Sequence, residues 1–251
     1  VIYPQNNPFR QFQDLSGFWD FRLDPADKGL SQDWARGFPP DRLIAVPSSW
    51  NEQFQDTRDY LGAGWYQTRF DLPWGFKGKD LFLRFGSANY LAQVWLNGVK
   101  LGEHEGGHLP FSLEAGSHLK PKDNLLVVRV EGLLAPDRVP PGKVPADPKD
   151  GFNHSFNPPA SFDFFPYCGI HRPVLLVATP HESIQDVTIS TEIAGKTGRV
   201  KVDILTGFSD SLTARFCLTG YGRKVVALEK AGPGKTKALL QMPDAKLWAP
   251  G

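Results

Sequence analysis

Two short strings in this 251-residue sequence have the residue types and spacing of known chemistry. His104-Glu105-Gly106-Gly107-His108 reads H-E-x-x-H. On a helix, that spacing puts two imidazoles on one face, where they hold zinc beside a glutamate acting as general base. Here two glycines fill the middle and Pro110 follows at once, so the string is expected to form a tight turn between strands, with no metal site. Gly232-Pro233-Gly234-Lys235-Thr236 hints at a phosphate loop, but Glu229 stands where the motif needs its first glycine, and Pro233 lacks a backbone donor. A hairpin turn is expected instead. There is no G-x-S-x-G elbow, and the carboxylates are scattered; a hydrolytic pair meets in space, so spacing assigns none. No catalytic residue, metal ligand or cofactor site is expected from these strings.

The elements that must position any site read as short strands. Gly 25 and Pro 22 cut the chain into pieces, most with the two-residue alternation of half-buried strands, such as Phe18 to Leu23, Tyr66 to Asp71, Leu81 to Phe85 and Leu125 to Val130. Asn97-Gly98 between Val94-Trp95-Leu96 and Val99-Lys100-Leu101 is a hairpin signal, because a type I′ turn needs positive φ at both central residues. Trp19, Trp65 and Trp95 lie on strand patterns and are expected in a core; Trp34 and Trp50 lie outside clear strands. A boundary is expected near Thr179-Pro180-His181. Beyond it, five strands are expected, over 184–193, 199–205, 213–218, 224–228 and 236–241, where an immunoglobulin-like sandwich has about seven. The expected class is all-β. A β-sandwich or jelly roll spans 1–180, and a second sandwich, incomplete at its C-terminus, spans 181–251.

From Gly132 to Asp163 runs a stretch with seven prolines and no clear strand or helix. It is too aromatic for a disordered linker, with Phe152, Phe156 and Phe162 followed by Phe164 and Phe165. The stretch from Phe152 to Phe165 is therefore expected to dock on a surface outside these two sandwiches, or to be disordered without it.

A net charge of +1, with no basic or acidic run, points to no nucleic-acid partner. No apolar run reaches the roughly 18 residues of a membrane helix. Cys168 and Cys217 have neither metal nor redox spacing and are expected as reduced, buried thiols. The chain opens on Val1, a trimmed or processed start from which no compartment is read, and the sequon Asn153-His154-Ser155 is short enough to arise by chance.

Several motifs together resemble the N-terminal region of family 2 glycoside hydrolases. They are Leu15-Ser16-Gly17-Phe18-Trp19-Asp20-Phe21, Val46-Pro47-Ser48-Ser49-Trp50-Asn51, Trp65-Tyr66-Gln67-Thr68-Arg69-Phe70 and Val94-Trp95-Leu96-Asn97-Gly98 with the turn through His104 to Phe111. Asp163-Phe164-Phe165-Pro166-Tyr167-Cys168-Gly169-Ile170-His171-Arg172 and Val139-Pro140-Pro141-Gly142 are similar to the β-glucuronidase branch, with Pro166 and Cys168 where asparagine and alanine are more usual. Leu247-Trp248-Ala249-Pro250-Gly251 resembles the run before the last strand of the family's immunoglobulin-like domain.

The resemblance implies a galactose-binding-domain-like jelly roll and an immunoglobulin-like sandwich, followed by a catalytic barrel not included here. The barrel would supply both catalytic glutamates of a retaining mechanism and the β-D-glucuronide specificity, in a homo-oligomeric parent enzyme. It also implies that Asp163 reaches the barrel's active site and touches substrate; from the residues alone, Asp163 reads as a turn aspartate. Phe162, Phe164 and Phe165 are expected as docking anchors, and Arg172 as a structural partner of backbone or carboxylate. The chain alone is expected to be inactive. Other readings are a β-galactosidase or β-mannosidase of the same family, and a stand-alone carbohydrate-binding module.

Overall fold

The computed structural model describes residues 3–143, 165–220 and 222–247. The chain divides into two compact units, Val1–Thr179 and Pro180–Gly251. Both are antiparallel β-sandwiches, the first of jelly-roll type.

The strands of the first unit are β1 (Gln11–Asp14), β2 (Gly17–Asp24), β3 (Arg42–Val46), β4 (Ser48–Ser49), β5 (Ala63–Phe70), β6 (Asp80–Phe85), β7 (Ala88–Asn89), β8 (Leu91–Leu96), β9 (Val99–Glu105), β10 (Phe111–Glu114), β11 (Asn124–Glu131), β12 (Gly169–Ile170) and β13 (Val174–Thr179). A six-stranded sheet has the order β3-β2-β5-β11-β8-β9, a four-stranded sheet β1-β13-β6-β10, and a small sheet β4-β12-β7. Alternation along each strand builds the core. Trp19 and Phe21 of β2 and Leu126, Val128 and Val130 of β11 are buried in one cluster with Leu83 and Phe85 of β6 and Val174 and Leu176 of β13. Each fully buried side chain of this size contributes about 1.5–3 kcal/mol.

The six-stranded sheet also buries part of its other face. Trp65, Trp95 and Val127 point away from the main core and are covered by Trp34 and Phe38 from the β2–β3 connection. Trp65 and Trp95 stack at 5.4 Å, and the Trp65 indole donates to Asp24 Oδ2 at 3.0 Å. Trp19, Trp65 and Trp95 are thus buried as expected, but in two clusters on opposite faces. Trp34 and Trp50 are buried too, so neither offers a sugar platform.

The Asn97-Gly98 turn joins β8 to β9 with φ of 53° and 83°, the paired positive values of a type I′ hairpin. Its Asn97 side chain also donates to His118 O and accepts from Leu125 N–H. The H-E-x-x-H string is strand followed by turn. His104 lies on β9 and stacks on Phe111 at 4.4 Å, whereas His108 sits at φ 68° beside Tyr90.

The second unit has β14 (Ile184–Ala194), β15 (Thr197–Thr206), β16 (Leu212–Gly220), β17 (Arg223–Ala231) and β18 (Gly234–Met242), in sheets β14-β15-β18 and β16-β17. Val202, Ile204, Ala231 and Leu240 form its small core. The Gly232–Pro233 turn joins β17 to β18, with Gly234 at φ 94°. Ile184, Val187 and Ile189 of β14 remain exposed beside an open apolar cavity of about 470 Å³ that reaches Phe216.

The cysteines differ from expectation. Cys168 is buried, but Cys217 is exposed, because β16 alternates and turns that position outward. A thiol reagent such as 5,5′-dithiobis(2-nitrobenzoate) is expected to titrate one thiol in the native chain and both only after denaturation; rapid reaction of two native thiols would contradict the burial of Cys168.

Candidate functional site

The segment 165–172 is fastened at one end of the first sandwich, and its fastening is the most heavily hydrogen-bonded feature of that end. β12 is inserted between two short strands: Gly169 pairs with Ser49 and Asn89, and Ile170 with Ser48 and Ala88. Gly169 is at φ +122°, and a Cβ there would lie 2.8 Å from the Tyr66 hydroxyl and 3.0 Å from Ser48 O, so both conformation and space require glycine. Gly132 serves the same end, since a Cβ there would collide with Cys168 Sγ.

Asn51 is the hub. It sits in a single helical turn, α1 (Trp50–Gln53), capped by Ser49, whose Oγ accepts from Asn51 N–H. Asn51 Nδ2 donates to the carbonyls of Thr57, Arg58 and Tyr60 at 3.1, 2.9 and 3.0 Å, and Oδ1 accepts from Cys168 N–H at 2.8 Å. Ser49 Oγ and Trp50 N–H donate to Cys168 O at 2.9 and 3.2 Å. Asn89 Nδ2 donates to Tyr167 O at 3.1 Å, and His171 N–H to Ser87 O at 3.1 Å. Nearly every polar backbone atom around Cys168 is thus held by a buried side chain or a strand partner, as buried polar groups require.

The chain entering this region is fixed at the same end. Arg138 pairs with Glu131 at 2.8 Å and Glu105 at 3.4 Å, and Gly107 N–H donates to Val139 O at 2.7 Å. Residues 132–143 and 165–172, the two flanks of the stretch 144–164, therefore lie against one edge of the sandwich.

Among the expected site residues, Phe165 is described. Its ring lies 4.6 Å from that of Tyr167 with the Arg58 guanidinium 4.9 Å above it, so it packs on its own domain. Phe162, Asp163 and Phe164, and the expected docking of 152–164, fall outside the described residues. Arg172 departs from its expected structural pairing: its side chain is exposed and has no ion pair among the described residues, and its Cβ lies over Gly86. Asn51, Ser49 and Asn89 were missed as anchors. The V-P-S-S-W-N string held the first two, but nothing local shows that their partner, Cys168, lies 117 residues from Asn51 and 119 from Ser49.

Burial shapes the ionisation here. The Cys168 thiol is pushed well up by desolvation and stays protonated. His171 is pushed down to about 4, first by burial and then by neighbouring His108 and by Arg172, while the Tyr167 and Cys168 backbone partly offsets this. Its Nε2 is buried with no hydrogen-bond partner among the described residues. A histidine held neutral in the fold but charged when unfolded leaves stability unchanged above its ordinary value of 6.5. Below it the unfolded chain binds the extra proton, so stability is lost as pH falls from 6.5 toward 4, by up to about 3 kcal/mol. Urea unfolding of wild type and His171→Asn across that window is expected to show the wild type's loss reduced in the variant; identical pH slopes would refute it.

Among the described residues, no group of three or more His, Cys, Asp or Glu is placed to hold a metal, and no helix is long and apolar enough to cross a membrane. The site presents a rigidly mounted segment, with no nucleophile or acid–base pair described in it.

Known proteins resemble this chain in sequence and in fold. The chain is 37% identical over 272 aligned positions to the beta-glucuronidase of Felis catus, covering all of this chain and 40% of that protein. It is 33% identical to the beta-glucuronidase of Paenibacillus borealis, covering all of this chain and 42% of that protein. The Ruminococcus gnavus beta-glucuronidase crystal structure superposes with a TM-score of 0.78 at 32% identity, over 98% of this chain and 41% of that one. The chain spans about two fifths of the length of these relatives. The model for the glycosyl hydrolases family 2 sugar binding domain matches residues 12–180, two thirds of the chain, and with that the chain belongs to glycosyl hydrolase family 2.

Proposed function

We propose that these 251 residues are the N-terminal, non-catalytic part of a retaining β-glucuronidase, in which a jelly-roll domain (1–180) and an immunoglobulin-like domain (181–251) precede a catalytic barrel. The observation that carries this reading is the whole-chain similarity to beta-glucuronidases in sequence and in fold. The same Ruminococcus gnavus protein has been solved with uronic isofagomine and with D-glucaro 1,5-lactone. In this reading the barrel supplies two glutamates about 5 Å apart, one as acid/base and one as nucleophile. The anchored flanks of 144–164 present Asp163 to the substrate, where a carboxylate accepts hydrogen bonds from sugar hydroxyls. Phe162 and Phe164 dock against the barrel, while Phe165 secures the near end of the segment.

The test compares p-nitrophenyl β-D-glucuronide with the β-D-galactoside. The longer protein is expected to prefer the glucuronide by at least about a hundredfold in kcat/KM, and the 251-residue chain to cleave neither. A preference for the galactoside, or turnover by the 251-residue chain, would overturn the reading.

A further inference from the structure

The connection from β5 to β6 carries the most exposed large apolar side chain among the described residues. Trp74 is 92% exposed, whereas Phe76, two residues on in the same 3-10 turn, is buried in the main core with Leu72 packed against that core. The turn is thus rooted on one side and holds the indole out on the other. A Cβ on Gly75 would approach only Gln11 Oε1, at 3.9 Å, and one on Gly78 would meet nothing within 4 Å, so the loop stands clear of the sandwich. Two further stretches lie against it. Lys79 Nζ donates to Gln11 Oε1 at 2.7 Å, and just before Gln11 a turn closed by the Asn7 side chain carries Phe9, 71% exposed. Leu72 N–H donates to Pro121 O at 3.2 Å, and Asp123 N–H to Asp71 Oδ1 at 2.8 Å. Residues 69–80 and 119–123 together carry five cations and three carboxylates, an excess of positive charge beside the two rings. Arg69 is spent on Asp123 at 2.7 Å, but Lys77, Lys79, Lys120 and Lys122 have no ion pair among the described residues.

We infer that this corner is a docking surface for an anionic lipid bilayer, with Trp74 and Phe9 entering the lipid–water interface and Lys77, Lys79, Lys120 and Lys122 meeting the headgroups. An indole is favoured at that interface, where its ring is in apolar surroundings and its N–H stays wet. Lysines beside it are drawn to anionic headgroups while their stems follow the apolar surface. An apolar insertion and a basic patch, each weak alone, together suffice for peripheral attachment. The shape favours a fluid phase over a protein partner. Both rings project from turns, and a bilayer accepts a projecting ring without a preformed socket, whereas a protein hot spot is a packed, desolvated pocket. The charge type points the same way. The cations without an ion pair on these loops are all lysines, point charges that suit a diffuse anionic surface, whereas recognition of one phosphate in fixed geometry uses the arginine fork. The inference does not rest on the glucuronidase reading.

The test is co-sedimentation of the 251-residue chain with vesicles of phosphatidylcholine containing about 30% phosphatidylserine, and with vesicles of phosphatidylcholine alone. The chain is expected to bind the anionic vesicles, to bind the neutral ones at least about tenfold more weakly, and to come off the anionic ones as salt is raised toward about 1 M. Trp74→Ala is expected to weaken binding by at least about tenfold, with the melting temperature unchanged because the ring is exposed. The double variant Lys77→Gln, Lys122→Gln keeps both rings and is expected to weaken binding about twentyfold. Ile189→Ser alters the exposed apolar strand β14 of the second unit and is expected to bind like wild type. No binding to the anionic vesicles, equal binding to the neutral ones, wild-type binding by Trp74→Ala, or loss of binding in Ile189→Ser would each overturn the inference. Retention on immobilised poly-L-glutamate without vesicle binding, marking an acidic polypeptide partner, would overturn it too.

Discussion

In the longer protein, Asp163→Ala is expected to lower kcat/KM for p-nitrophenyl β-D-glucuronide by about a hundredfold, while the circular dichroism of the β-sandwiches stays unchanged. The size follows from the bond proposed. A hydrogen bond to a charged group is worth about 1.5–3 kcal/mol, and at about 1.4 kcal/mol per tenfold this is a rate effect of roughly 10- to 150-fold. That full value needs a carboxylate held in place, because misplacement of a contact costs rate even when the group is present. Phe165, two residues on, is clamped between Tyr167 and Arg58, and Cys168 is held by Asn51, Ser49 and Trp50. If Asp163 is instead an ordinary turn residue, the variant keeps its kcat/KM and loses about 1 kcal/mol of stability. The two outcomes are separated by steady-state kinetics alone.

Asn51→Ala is the larger structural lesion, with an expected loss of about 3–4 kcal/mol in urea unfolding of the 251-residue chain. The two N–H groups of the amide serve three carbonyls, so one is shared, and its oxygen serves Cys168 N–H. Removing the side chain strands several buried groups at about 1–3 kcal/mol each before relaxation and water entry recover part. Asn51→Asp makes the cause specific. It keeps the shape and the acceptor but offers no donor, and it turns a carboxylate toward carbonyl oxygens. It is expected to be at least as destabilising as alanine at pH 7. Stability of Asn51→Asp close to wild type would show that the three carbonyl contacts carry little weight.

Much of the fold was legible in the sequence because it is written locally. The Asn97-Gly98 turn needs only two residues with positive φ, and the strands of both sandwiches show in two-residue alternation. The glycines in His104–His108 and Pro233 in the second string were enough to exclude helix and phosphate loop. The misreadings are non-local except at Cys217. Trp34 lies outside any strand, so nothing nearby tells that it closes over Trp65 from across the sheet. Cys217 was expected to be buried by residue type, but strand parity turned it outward. Asn51 reads as an ordinary polar residue after a tryptophan until β12 is brought beside β4. The resemblance singled out Asp163 without showing what holds the segment around it; that comes from the register of β12 and from Gly132 and Gly169, which make room for it.

The two anchored flanks have a topological consequence. β12 and β13 come after the stretch 144–164 in sequence, yet they belong to the first sandwich, where β13 pairs with β1 and β6, and β12 with β4 and β7. Lys143 and Phe165, the described residues on either side of that stretch, lie along the same edge of the sandwich. Interrupting the peptide anywhere between these points would remove continuity while leaving in place every strand, register and core side chain of the described residues. The first sandwich is thus in effect a two-piece assembly whose pieces are joined covalently by that stretch and, among the described residues, non-covalently by four strand pairings.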